Sequence, residues 1–309
     1  MIMSLLSNHK NLDHLVDAIV HFNRARDITG SSTVEVTRTL FDGLNKLQTR
    51  WLLHRSGMGE VKTFQSMILD SLHAEARSDL PRSTELRSVV EFTPRILNHD
   101  VLNRRRYRPG DDIEPSLFRE ASEIHRKLTK AFSELDGMDT ATEDRVLKRA
   151  AELLYLVRSN IAHGEKTPYG PDFAKRDRDE AVCRVIVPLQ EILMDGLLDY
   201  PSRKLVAYGT LAPGQPNHHV IEEIGGAWTR CVVRGSVQFE RGFPVLTWNP
   251  SGGELEAHLL ISGDLPKAWS RIDSFEGSGY KRHLIPSTAN GEVIVSNVYV
   301  GNRKRRSFR

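Results

Sequence analysis

Up to about residue 200, apolar positions recur at three- and four-residue steps, the period that aligns one face of a helix. In residues 142–163 the stripe is Val146, Ala150, Leu153, Leu154, Val157 and Ile161. Similar stripes run through residues 34–53, 61–72, 117–135 and 181–198, and turn formers such as Ser56-Gly57-Met58-Gly59 and Pro109-Gly110-Asp111-Asp112 lie between them. The pattern predicts an all-α helical bundle over residues 1–200.

The texture changes after Pro201-Ser202. Short β-rich runs follow at residues 205–208, 231–237, 255–261 and 292–300, separated by glycine and proline. One helix interrupts them at about residues 266–275, with Asp264 as its cap, Pro266 in its first turn and Gly277 at its stop. The fold class expected is α+β in two domains: the helical bundle, then a small mixed β domain over residues 203–300, then a basic tail at 301–309. No internal repeat or low-complexity stretch alters this division.

A chain of 309 residues suits two folding units, and either half could bury its own core. No apolar run approaches the length needed to cross a bilayer, so no membrane partner is expected. The first ten residues carry no signal-peptide core, which leads to a cytoplasmic expectation. Cys183 and Cys231 sit in different halves among apolar neighbours and read as packing residues, not as a disulfide or zinc framework. The net charge of +3 does not imply a nucleic-acid partner by itself. Its distribution is uneven: residues 81–108 hold seven arginines against three acids, and residues 303–306 read Arg-Lys-Arg-Arg. These are either a solvated loop and a frayed tail or a pair of phosphate-attracting patches.

The run 205–214, Leu-Val-Ala-Tyr-Gly-Thr-Leu-Ala-Pro-Gly, is a buried strand entering a glycine-bearing turn. Consecutive backbone N–H groups in such a turn can hold a carboxylate or a developing oxyanion, although a Tyr-Gly pair is commonly only a turn. Glu276 falls at the end of the short helix, where the negative end of the dipole raises a carboxylate's proton affinity. Shielding by Phe275 and Tyr280 would move it toward neutral pH, whereas a solvent-exposed Glu before a helix-ending glycine is the ordinary alternative. Taken together, residues 208–219 (Tyr-Gly-Thr-Leu-Ala-Pro-Gly-Gln-Pro-Asn-His-His) and residues 273–282 (Asp-Ser-Phe-Glu-Gly-Ser-Gly-Tyr-Lys-Arg) closely resemble the γ-glutamylcyclotransferase family, including its γ-glutamylamine branch. The resemblance implies a small barrel-like fold with a cavity between the Tyr-Gly loop and the glutamate. It implies a γ-glutamyl amide as substrate, whose free α-amine attacks its own γ-carbonyl to give 5-oxoproline and an amine or amino acid. Glu276 would carry the protons, the amides of Gly209, Thr210 and Leu211 would hold the substrate carboxylate or the oxyanion, and Tyr208 and Tyr280 would serve as walls or hydrogen-bond donors. No cofactor is implied, because nucleophile and electrophile belong to one molecule. His218 and His219 lack a third metal ligand at convincing spacing and read as turn or helix-start residues.

In the first half, residues 158–166 (Arg-Ser-Asn-Ile-Ala-His-Gly-Glu-Lys) carry Arg158 and His163 about 140° apart around one helix end, so both can border one cleft. An Arg that steadies a phosphate beside a His that assists a 2′-hydroxyl could act on RNA without metal. An Arg paired with an acid is the plain alternative. Residues 145–198 resemble the HEPN superfamily of helical domains, many of them dimeric RNases or RNA-binding modules. That resemblance implies an RNase site of Arg158, Asn160 and His163, RNA as a partner and a homodimer formed through the bundle. Three functions therefore stand side by side: a γ-glutamyl cyclase, an RNA-directed effector whose C-terminal domain senses or modifies, and a dimerising scaffold.

Overall fold

The computed structural model describes residues 5–6, 12–52, 59–100, 115–135, 139–162, 166, 168–240 and 242–302. The chain divides into two compact units, residues 1–5 with 20–197 and residues 6–19 with 198–309. The basic clusters at residues 104–108 and 303–306 lie outside the described residues.

The helical region comprises α1 (Asp13–Asp27), α2 (Thr33–Leu52), α3 (Glu60–Ser71), α4 (Ala74–Asp79), α5 (Thr84–Asp100), α6 (Pro115–Ser133), α7 (Thr140–Ala162) and α8 (Phe173–Leu197). Every member of the stripe from Val146 to Ile161 is buried on α7, as the period predicts. Each such Val, Leu or Ile contributes roughly 1.5–3 kcal/mol by leaving water. One expectation needs correction. The arginine-rich stretch after Pro81 is a helix over Thr84–Asp100, because Leu86, Val89, Val90 and Thr93 form a buried stripe of their own. The charged run 175–179 is likewise helical: α8 starts at Phe173, where Asp172 accepts the Lys175 N–H on its side chain at 3.0 Å and the Arg176 N–H on its carbonyl at 3.1 Å. Asp179 is thereby buried and meets Lys166 at 3.1 Å, with both side chains fully out of water.

The C-terminal region comprises β1 (Lys204–Ala207), α9 (His219–Glu222), β2 (Ala227–Glu240), β3 (Phe243–Trp248), β4 (Gly253–Ile261), α10 (Leu265–Glu276), β5 (Tyr280–Ala289) and β6 (Glu292–Gly301). The sheet runs β3-β2-β4-β1-β6-β5, and a pairing of Val232 with Thr288 joins β2 to β5, closing it into a small barrel. β1 pairs antiparallel with β4 and parallel with β6. All four β1 residues are buried, as expected of a strand covered on both faces. Val206 packs inside the barrel with Cys231, Leu259 and Val298, whereas Leu205 and Ala207 pack with Leu265, Trp269 and Ile272 of α10. The spacing of Leu265, Ala268, Trp269 and Ile272 places that whole stripe against the barrel and fixes where the helix ends.

β3 and β5 were not among the expected strands, and β2 is longer than the expected 231–237. Lys281-Arg282-His283 and Pro286 conceal β5, while Phe243-Pro244 opens β3. Cys183 and Cys231 are buried free thiols, and burial pushes the Cys231 thiol up to about 11. Among the described residues, no helix is long and apolar enough to cross a membrane.

Candidate active site

β1 delivers the chain into Tyr208, whose hydroxyl is engaged on both sides. It donates to the Tyr299 carbonyl at 2.7 Å and accepts the Leu246 N–H at 3.1 Å. Burial raises its proton affinity well above the ordinary phenol range, so it stays neutral and acts as a wall tied to β3 and β6. Gly209 is required by close approach: a Cβ there would lie 2.7 Å from Cγ of Pro244. Pro244 is in turn held by Tyr280, whose hydroxyl donates to the Pro244 carbonyl at 3.1 Å.

The loop is braced internally. Ala212 N–H donates to the Gly209 carbonyl and Asn217 N–H to the Thr210 carbonyl, both at 3.0 Å, and the Asn217 amide donates to Thr210 Oγ1 at 3.0 Å. His218 Nδ1 meets the Leu211 carbonyl at 3.0 Å, with its ring 5.5 Å from that of Trp228, and His219 Nδ1 meets the Pro216 carbonyl at 3.1 Å. Both histidines are therefore loop braces, and the described residues contain no metal-binding cluster. The N–H groups of Gly209, Thr210 and Leu211 donate to no acceptor among the described residues, which leaves three adjacent donors for a ligand.

Glu276 is the last residue of α10, immediately before Gly277, whose φ of 63° and ψ of −164° stop the helix. Its half-buried carboxylate makes no hydrogen bond or ion pair among the described residues. Burial raises its pKa from the ordinary 4.5 to about 7, and the charge of Asp273 one turn back adds to the effect. The negative end of the helix dipole acts in the same direction. Asp273 is itself held firmly: it accepts from the Tyr299 hydroxyl at 2.6 Å and from Arg282 at 2.9 and 3.1 Å, and the Arg282 guanidinium lies 4.4 Å from the Trp269 ring centre.

Tyr208, Gly209, Thr210, Leu211, Glu276 and Tyr280 line one cavity of about 460 Å³, so all six C-terminal residues singled out from the sequence come together. Phe275, expected beside Glu276, lines it as well, and so do Phe243 and Tyr299, which were missed. Asp273 carried a signal, its position three residues before Glu276 on the same helix face. Phe243 and Tyr299 had no such signal, because only the barrel closure brings β3 and β6 to the loop.

In the helical unit, Arg158 borders a separate cavity of about 440 Å³ with Arg38, Asp42 and Asn45 of α2. Its guanidinium lies 5.2 Å from the Tyr155 ring centre and donates to that hydroxyl at 3.3 Å. Asn160 is buried, and His163 lies outside the described residues.

The small closed barrel thus holds a cavity of about 460 Å³ bordered by three loop amides and by one carboxyl whose pKa burial raises to about 7. Residues 205–308 match the family described as "Gamma-glutamyl cyclotransferase, AIG2-like". Similar solved structures are an uncharacterized protein from Pyrococcus horikoshii (21% identity, 33% of this chain, 79% of that chain, TM-score 0.26), YkqA from Bacillus subtilis (22%, 32%, 36%, TM-score 0.28) and an AIG2-like protein from Mus musculus (22%, 32%, 76%, TM-score 0.27). No curated protein matches the chain. The C-terminal domain is thus similar to the AIG2-like cyclotransferases, and none of these comparisons supports the HEPN resemblance of the helical unit.

Proposed function

We propose that the C-terminal unit cyclises a γ-glutamyl amide to 5-oxoproline with release of an amine. The observation that carries this reading is a carboxyl of raised proton affinity and three unengaged backbone N–H groups lining the same cavity. The substrate's α-nitrogen attacks its own γ-carbonyl carbon, forming the ring C–N bond. The loop amides hold the resulting oxyanion or the substrate carboxylate. Glu276 takes a proton from the attacking nitrogen and gives one to the departing nitrogen as the amide C–N bond breaks, so no water is consumed. A group that titrates at about 7 does both at neutral pH. Release of 5-oxoproline from a panel of γ-glutamyl amides tests the reading; product formation undiminished in a folded Glu276→Gln variant refutes it.

A second reading concerns the helical unit: metal-independent RNA cleavage by an HEPN-type dimer through Arg158, Asn160 and His163. Its support is the cavity that Arg158 borders with Arg38 and Asn45. RNA degradation that persists in both Arg158→Ala and His163→Ala eliminates this site, and a strictly monomeric full-length chain in light scattering eliminates the dimer.

A further inference from the structure

Phe243 and Phe275 line the 460 Å³ cavity yet remain 54% and 44% exposed, so both rings stand at its opening. They arrive from different elements. Phe275 comes from the last turn of α10, next to Glu276, and Phe243 starts β3, next to the Pro244 that Tyr280 holds in place. Large apolar groups kept in water at the rim of a formed pocket are the usual mark of a surface completed by a ligand.

The charges of the cavity restrict that ligand. Among the described lining residues Glu276 is the only charged side chain, with no Lys, Arg or His beside it. The three loop amides suffice for one carboxylate of the γ-glutamyl group. An amino-acid leaving group would bring a second carboxylate toward two aromatic rings and the Glu276 carboxyl, where it would lose water and gain no cation from the described lining residues. We infer that the leaving group is an amine with an apolar, preferentially aromatic, substituent, received at the cavity mouth by Phe243 and Phe275. The inference rests on the cyclotransferase reading and adds the class of amide on which it acts.

The test uses the full-length protein with γ-glutamyl benzylamide, γ-glutamyl methylamide and γ-glutamylphenylalanine. Release of 5-oxoproline is measured for each, and binding to Glu276→Gln is followed by calorimetry. The benzylamide is expected to exceed the methylamide in kcat/KM by roughly tenfold or more, the scale of discrimination a hydrophobic pocket achieves. γ-Glutamylphenylalanine is expected to fall below the benzylamide. In Phe243→Ser and Phe275→Ser the benzyl-to-methyl ratio should drop toward one, with KM carrying the change; the wild-type comparison decides the matter even where a variant fails to fold. Equal turnover of all three, or preference for the amino-acid amide, overturns the inference and leaves cyclisation standing. Preferential binding of the benzylamide without any 5-oxoproline upholds the apolar subsite and overturns the cyclotransferase reading. Failure to bind any of the three overturns both.

Discussion

Replacing Glu276 with Gln should stabilise the fold in alkaline solution and leave it unchanged in acid. The carboxyl ionises at an ordinary 4.5 in the unfolded chain and at about 7 in the folded one. Between those values the native state binds more protons than the unfolded state, so stability falls as pH rises through the window and levels off above it. Below 4.5 both states hold the proton and nothing is lost. At about 1.4 kcal/mol per pH unit the full step amounts to roughly 3 kcal/mol. The half-buried carboxyl still sees some solvent, and screening reduces the expected loss to about 2 kcal/mol. Gln preserves the shape without the charge, so the variant should exceed the wild type by about that amount at pH 8 and match it near pH 4. Urea denaturation followed by tryptophan fluorescence is a suitable assay, because Trp228, Trp248 and Trp269, three of the four tryptophans, lie in the C-terminal region. A stability difference that is the same at both pH values, or a wild type more stable than Glu276→Gln at pH 8, would refute the reasoning.

Asp273→Asn removes the like charge one turn before Glu276, so the acid limb of 5-oxoproline release should move below pH 7; an unmoved limb contradicts the assigned cause. Gly277→Ala forces a side chain into a backbone region that essentially only glycine occupies, at a cost of about 1–3 kcal/mol in the same denaturation assay. Wild-type stability in that variant would mean that the helix end relaxes freely. Lys166→Met strands Asp179 as a fully buried carboxylate and should cost roughly 3–5 kcal/mol by far-UV circular dichroism. The double change Lys166→Met with Asp179→Leu should recover most of that loss, and no recovery would show that the pair is more than a local compensation.

The parts legible in the sequence were those set by local periodicity and termini. The α7 stripe and the bounds of α10 follow from spacing and from Pro266 and Gly277. Even there one detail differed: Asp264 occupies the cap position, but its carboxylate pairs with Lys267 at 3.0 Å and makes no cap hydrogen bond. The barrel was less legible, because its closure depends on pairings distant in sequence. β5 carries charge and a proline, and its best local signal was Asn290-Gly291, whose φ values of 52° and 79° form the tight turn to β6. The reason for Gly209 was hidden for the same cause, since the Pro244 it accommodates belongs to another hairpin.

The three tyrosines that line the cavity keep their hydroxyls engaged within the protein. Tyr208 donates to the Tyr299 carbonyl, Tyr280 to the Pro244 carbonyl and Tyr299 to Asp273, so every one of these hydroxyls has an acceptor within the protein. Their rings give the pocket its shape, and the hydroxyls tie β3, β6 and α10 together around the loop. The other polar groups that line the cavity are the loop amides, the Thr210 and Asn217 side chains and Glu276. For an intermolecular reaction this would be a meagre set of groups. A substrate that carries its own nucleophile and electrophile needs only to be folded into a ring-closing pose and relieved of a proton, and effective molarity then supplies much of the barrier reduction. On the cyclotransferase reading, the same burial that makes Glu276 costly to ionise brings its titration to the pH where that proton would move.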